Sequence, residues 1–106
     1  MILRYHPAAI QEAQNSTEWY NRQEEGLGME FSAEIGKAVG LLKCDPARLP
    51  KTAGNLQVAR VKRFPYSIYF HFQPETSRIF IVSIFHHRRR PGSWLNRIRD
   101  FRESPE

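Results

Sequence analysis

Tyr66-Ser67-Ile68-Tyr69-Phe70-His71-Phe72, the turn Gln73-Pro74-Glu75-Thr76-Ser77, and Arg78-Ile79-Phe80-Ile81-Val82-Ser83-Ile84-Phe85 together decide the fold. The first run is aromatic and β-branched, the residue types that fit a pleated surface. Side chains alternate across a strand, so Phe64, Tyr66, Ile68, Phe70 and Phe72 share one face and Ser67, Tyr69 and His71 the other. The second run is almost wholly apolar, as expected of a central strand covered on both faces. The short polar turn between them implies antiparallel pairing. Leu56 to Val61, short and mixed, supplies a third strand to this meander.

Upstream the period changes. Met1 to Tyr5 alternates weakly and ends at His6-Pro7, which predicts a short first strand. Proline suits the first turn of a helix, where its missing N–H is not needed. From Pro7 to about Glu25, Ile10, Ala13, Thr17 and Tyr20 recur at spacings of three and four. Gly26 is the expected stop, and Leu27-Gly28 a very short link. A second helix is predicted from Gly28 to Cys44, with Phe31, Ile35, Ala38 and Leu42 on one stripe and Asp45-Pro46 closing it. Helices joined this tightly form an antiparallel hairpin, and both stripes need a sheet to pack on. Residues 45–55 are loop by composition, and a short helix is predicted from Ser93 to Arg102. The fold class is α+β. A single domain over residues 1–106 holds an N-terminal strand, a helical hairpin packed on a small antiparallel sheet, and a short C-terminal helix.

The 106 residues are 41% hydrophobic and 25% charged, the balance of a folded domain and not of a disordered chain. One cysteine, Cys44, cannot form an internal disulfide, which argues against a small secreted scaffold. The N-terminus has no signal-peptide pattern, and no stretch approaches the ~20 apolar residues of a membrane span, so a cytoplasmic setting is expected. Charge is uneven. Residues 60–102 carry 10 Lys/Arg against 2 Asp/Glu, while residues 1–59 carry 6 against 7. Such asymmetry points to an anionic or acidic partner. His86-His87 does not suggest a metal site, because neighbours on a strand face opposite ways; no metal and no cofactor is expected.

Four segments resemble the RelE/ParE family of type II toxin–antitoxin toxins. They are Gly26-Leu27-Gly28 with Phe31 and Glu34; Arg63-Phe64-Pro65-Tyr66-Ser67-Ile68-Tyr69-Phe70; Ile79-Phe80-Ile81-Val82-Ser83-Ile84; and His86-His87-Arg88-Arg89-Arg90-Pro91 followed by Trp94 and Arg97. Their order and spacing run over about residues 1–98. The resemblance implies a helical hairpin on a small antiparallel sheet, and a protein held silent by a cognate antitoxin in a hetero-oligomer. Its target would be DNA gyrase for ParE-like members, or messenger RNA on the ribosome for RelE-like endoribonucleases. A third possibility is a toxin fold that persists as an inactive binding module.

Cleavage of RNA through its 2′-hydroxyl needs a base, cations for the phosphate and an acid for the leaving oxygen. The resemblance puts Arg60 and Lys62 at the cationic strand positions of the nucleases, with His87 as the candidate acid or base. Ser67 stands where those nucleases keep an arginine, and Trp94 where they keep a titratable residue. Serine cannot hold a phosphate charge, so the set is closer to the ParE-like side, where binding alone is expected. Arg63, His86, Arg88, Arg89, Arg90, Trp94 and Arg97 are the candidate target-binding residues, with the arginines as carboxylate or phosphate clamps. The late cations are expected to converge on one exposed patch.

Overall fold

The computed structural model describes residues 1–88 together with Arg97 and Arg99. The elements run β1 (Ile2–Tyr5), α1 (Pro7–Gln23), α2 (Leu27–Cys44), β2 (Gln57–Arg60), β3 (Tyr66–Gln73) and β4 (Arg78–His86). Two single 3-10 turns, Pro46–Arg48 and Ala53–Asn55, punctuate the loop between α2 and β2. The terminal helix predicted from Ser93 lies outside the described residues, apart from Arg97 and Arg99, which are helical.

His6 begins α1 by accepting a hydrogen bond from the Ala8 N–H through Nδ1 at 3.0 Å, with Pro7 in the first turn. The helix ends at Gln23, and Gly26 turns the chain with φ +87°, a left-handed conformation that suits a residue without Cβ. Hence α2 starts at Leu27, one residue earlier than the sequence predicts. Gly28 lets the helices approach closely. A Cβ there would lie 2.5 Å from the Thr17 carbonyl oxygen, and the Gly28 N–H donates to Asn21 Oδ1 at 2.8 Å.

The sheet has the order β1-β4-β3-β2. Strands β2, β3 and β4 form the expected antiparallel meander, but β1 pairs with β4 in parallel, so the sheet is mixed and not purely antiparallel. The reason is topological: the chain leaves β1 through two helices instead of a tight turn, which allows a parallel return. The predicted stripe of Phe31, Ile35, Ala38 and Leu42 is buried, against Ile68, Phe70, Ile79 and Ile81 of the sheet. Near the turn that joins the two helices, Tyr20 lies 5.1 Å from Phe31 and 5.0 Å from Phe64 between ring centroids. Burying an aromatic or branched side chain contributes about 1.5–3 kcal/mol, so this layer holds the helices on the sheet. Leu56, Phe80, Val82 and Phe85 form a second buried cluster, which makes β4 apolar on both faces as its sequence predicts.

Strand β4 outruns its parallel neighbour. Tyr5 is opposite Ile81, and the His6 N–H makes the last bond, to the Ile81 carbonyl at 2.9 Å. Beyond it Glu12 of α1 closes the edge. Its Oε1 accepts from the Ile84 N–H at 3.1 Å and from Ser83 Oγ at 2.9 Å. Arg97 grips both Glu12 oxygens at 3.1 Å and donates to the Val82 carbonyl at 3.0 Å. Among the described residues no helix is long and apolar enough to cross a membrane.

Candidate functional site

Among the described residues, the late cations do not form the single patch expected from the sequence. Arg63, in the β2–β3 turn with φ +72°, reaches α2: its guanidinium is 2.6 Å from Glu30 Oε1 and 3.6 Å from Glu34 Oε2. It also lies over the Phe64 ring, 5.6 Å from the centroid. The hydrogen bond and charge of Glu30 raise the Arg63 pKa further, with a smaller contribution from Glu34. Arg97 is spent on Glu12 and the β4 edge. Both were expected to face a target, and both are committed to carboxylates from the helices. The acids that claim them are 33 and 85 residues away in sequence, beyond the reach of any local pattern. Arg89, Arg90 and Trp94 lie outside the described residues.

The other candidates gather at the end of β3 and β4, on two flanks. His86 is the last residue of β4, and His87 follows it in the turn. The His86 ring packs edge-on to Tyr66, 5.0 Å between centroids, and its Nδ1 accepts from the Arg88 N–H at 2.9 Å. His86 and Arg88 line a broad groove of about 890 Å³ beside α1, with Trp19, Asn15, Tyr66 and the Glu12–Arg97 pair. The Tyr66 hydroxyl donates to Ser16 Oγ at 2.8 Å in its wall. Burial is the largest cause that raises the Tyr20 phenol pKa, followed by the charge and hydrogen bond of Tyr66.

On the face of the sheet away from the helices, His87 turns back over β3. Its Nε2 is 2.8 Å from Ser67 Oγ, and its backbone N–H donates to the Pro65 carbonyl at 2.9 Å. Ser67 is only 4% exposed and is paired in register with Arg60 of β2. Directly opposed residues on an antiparallel pair share a face, with Cβ atoms about 5 Å apart. Arg60, Ser67 and His87 therefore border one small cavity of about 260 Å³, with Thr52, Tyr69 and Phe85. Arg60 is exposed and makes no ion pair among the described residues; Lys62, two residues on, is also exposed.

Sequence reasoning named Arg60 and His87 but missed what joins them. Ser67 was read as a missing arginine, whereas it is the hydrogen-bond partner of His87. The signal available was the strand alternation that sets Ser67, Tyr69 and His71 on one face. Glu12 was not singled out at all, because a glutamate on a solvated helix gives no local sign of a strand edge beside it.

No protein-family model matches this sequence, and no curated protein matches it. Among solved structures, a chain of the chromosomal ParDE TA system from P. aeruginosa is similar with a TM-score of 0.70 at 16% identity. The likeness covers 81% of this chain and 95% of that one. Few residues are shared, while the two helices and the four-stranded sheet recur, so the fold that the RelE/ParE resemblance implies is the fold of this chain.

Proposed function

We propose that this protein is the toxin component of a type II toxin–antitoxin system, neutralised in the cytoplasm by a cognate antitoxin, and that it acts in the ParE-like manner by binding DNA gyrase. The carrying observation is Ser67, which is buried and bonded to His87 at the strand position where the RelE-like pattern requires a cation. With Arg63 and Arg97 committed to Glu30, Glu34 and Glu12, a ring of cations for a scissile phosphate is incomplete among the described residues.

The test is controlled expression without an antitoxin, paired with a supercoiling assay on purified gyrase. The ParE-like reading expects filamentation, DNA-damage signalling and inhibited supercoiling while messages stay intact. Rapid message cleavage with translation arrest would overturn it. Normal growth with folded protein accumulating would overturn every active reading. A second reading, ribosome-dependent RNA cleavage, draws support from Arg60 and His87 bordering one cavity. His87→Ala separates the two: a nuclease that uses this imidazole loses orders of magnitude in rate, whereas a gyrase binder loses little. A short reading frame beside the gene, encoding an acidic or DNA-binding protein, is the expected antitoxin.

A further inference from the structure

We infer that the outer edge of β1 pairs with the same edge of a second copy of this chain, joining two four-stranded sheets into one in a two-fold symmetric dimer. The sheet has two edges, and the chain treats them differently. The edge of β2 is covered by the loop before it. The Val58 N–H donates to the Pro50 carbonyl at 3.0 Å, the Thr52 N–H donates to the Leu56 carbonyl at 2.7 Å, and Lys51 bridges to Gln57. Among the described residues nothing pairs with the outer edge of β1. An uncovered edge is a template for another strand unless charge, proline or a bulge blunts it. Here Arg4 is the one charged side chain of the strand, and the rest is apolar. Met1, Ile2 and Tyr5, with Ile10 of α1, are 60%, 48%, 37% and 43% exposed, which leaves an apolar patch beside that edge.

Backbone and side chains select one register. The Ile2 and His6 N–H groups donate into the sheet, to the Ser77 and Ile81 carbonyls at 3.0 and 2.9 Å. Peptide groups alternate along a strand, so the N–H and C=O of Leu3 and Tyr5 point outward. Antiparallel pairing about a two-fold axis at Leu3 opposes Leu3 to its own copy, Met1 to Tyr5, and Ile2 to Arg4. The outward groups then exchange hydrogen bonds. The next register opposes Arg4 to Arg4, and like charges directly opposite destabilise a sheet. Met1, Leu3 and Tyr5 share one face, the one on which Leu3 packs against the helix-covered core. Tyr5 and Ile10 border a cavity of about 660 Å³ there, with Ala13 and Ile35. Met1 of the second copy is thus set beside Tyr5 at this cavity, and symmetry repeats the contact. Five residues a side cover less than the roughly 800 Å² per partner of a standard interface, so the dimer is weak. The inference rests on the β1 edge and not on the toxin reading.

The experiment is sedimentation equilibrium of the full chain between about 1 µM and 1 mM, with a Kd of about 10–100 µM expected. Ile2 and Arg4 oppose each other twice in the dimer. Ile2→Lys places like charges there and should weaken dimerisation at least about tenfold; Ile2→Glu places opposite charges there and should strengthen it about threefold. Position 2 is half exposed, so both variants should fold, which circular dichroism and a thermal melt check. In a Cys44→Ser background, Leu3→Cys should give a covalent dimer under mild oxidation. Opposed residues of a hydrogen-bonded antiparallel pair lie about 5.5 Å apart between Cα atoms, within disulfide reach. Met29→Cys, exposed on α2, is the control. A chain still monomeric at about 1 mM would overturn the dimer. Ile2→Lys and Ile2→Glu dimerising equally well, or no cross-linking at position 3 above the control, would overturn the β1 edge as its seat.

Discussion

Replacing Glu12 by alanine removes one carboxylate and leaves three donors without their acceptor. The Ile84 N–H and Ser83 Oγ lose bonds of 3.1 and 2.9 Å, and Arg97 loses two contacts of 3.1 Å. The site is largely shielded: the Glu12 and Arg97 side chains are 13% and 19% exposed, and Ser83 is fully buried. A stranded buried donor costs about 1–3 kcal/mol. Breaking a mostly buried ion pair from one side costs about 3–5 kcal/mol, because the remaining charge is uncompensated. These costs overlap, and Arg97 retains the Val82 carbonyl, so the expected loss for Glu12→Ala is about 3–5 kcal/mol. That is a large fraction of the 5–15 kcal/mol typical of a folded domain, and corresponds to a Tm lower by about 12–20 °C.

The partners are unequal, which gives the argument a sharper edge. Arg97→Met leaves the Glu12 carboxylate with both the Ile84 N–H and the Ser83 hydroxyl, so it should cost clearly less than Glu12→Ala. Glu12→Gln retains an acceptor for those two donors but loses the charge and the Oε2 acceptor of Arg97, so it should cost less than Glu12→Ala, about 1–3 kcal/mol. Urea denaturation of the three variants measures the order. A Glu12→Ala protein within about 1 kcal/mol of the parent, or an Arg97→Met protein less stable than Glu12→Ala, would refute the claim that Glu12 closes the β4 edge.

Gly28→Ala should destabilise by about 1–3 kcal/mol in the same assay, because the new methyl meets the Thr17 carbonyl and the Asn21 side chain at 2.5 Å. Tyr20 should ionise late: its phenol pKa is raised, so the folded state keeps a proton that the unfolded state releases above pH about 10. The linked stability is present below that pH and declines as pH rises through the folded pKa. Phenolate absorbance should show one late-ionising tyrosine fewer in Tyr20→Phe, and the variant's alkaline stability loss should flatten. Substituting Arg88, Arg89 and Arg90 together by alanine should abolish growth arrest while changing stability by only about 0.5 kcal/mol, measured by plating and by thermal melt.

The core was legible because its signals are local. Phe31, Ile35, Ala38 and Leu42 sit on one helical stripe whatever covers them, and Tyr66, Ile68 and Phe70 alternate whatever lies opposite. The same locality explains the misses. The direction of β1 depends on how the chain returns through α1 and α2, and four weakly alternating residues say nothing about which way their partner runs. Arg63 and Arg97 look like free cations in sequence, because Glu30, Glu34 and Glu12 are brought to them only by the packing of helices on the sheet.

That last miss changes what the basic half of the chain can mean. A run of positive charge in sequence becomes a binding surface only for the cations that folding leaves uncompensated. Arg63 ties the β2–β3 turn to α2, and Arg97 completes the closure of a strand edge, so losing either should weaken the fold before it weakens any partner. Among the described residues Arg60 borders the sheet-face cavity and Arg88 the groove beside α1, with His86 bordering both. A partner held through the sheet face depends on Arg60, and one held through the groove beside α1 depends on Arg88. The charge asymmetry alone could not separate these faces; the two separate cavities at the end of β4 do.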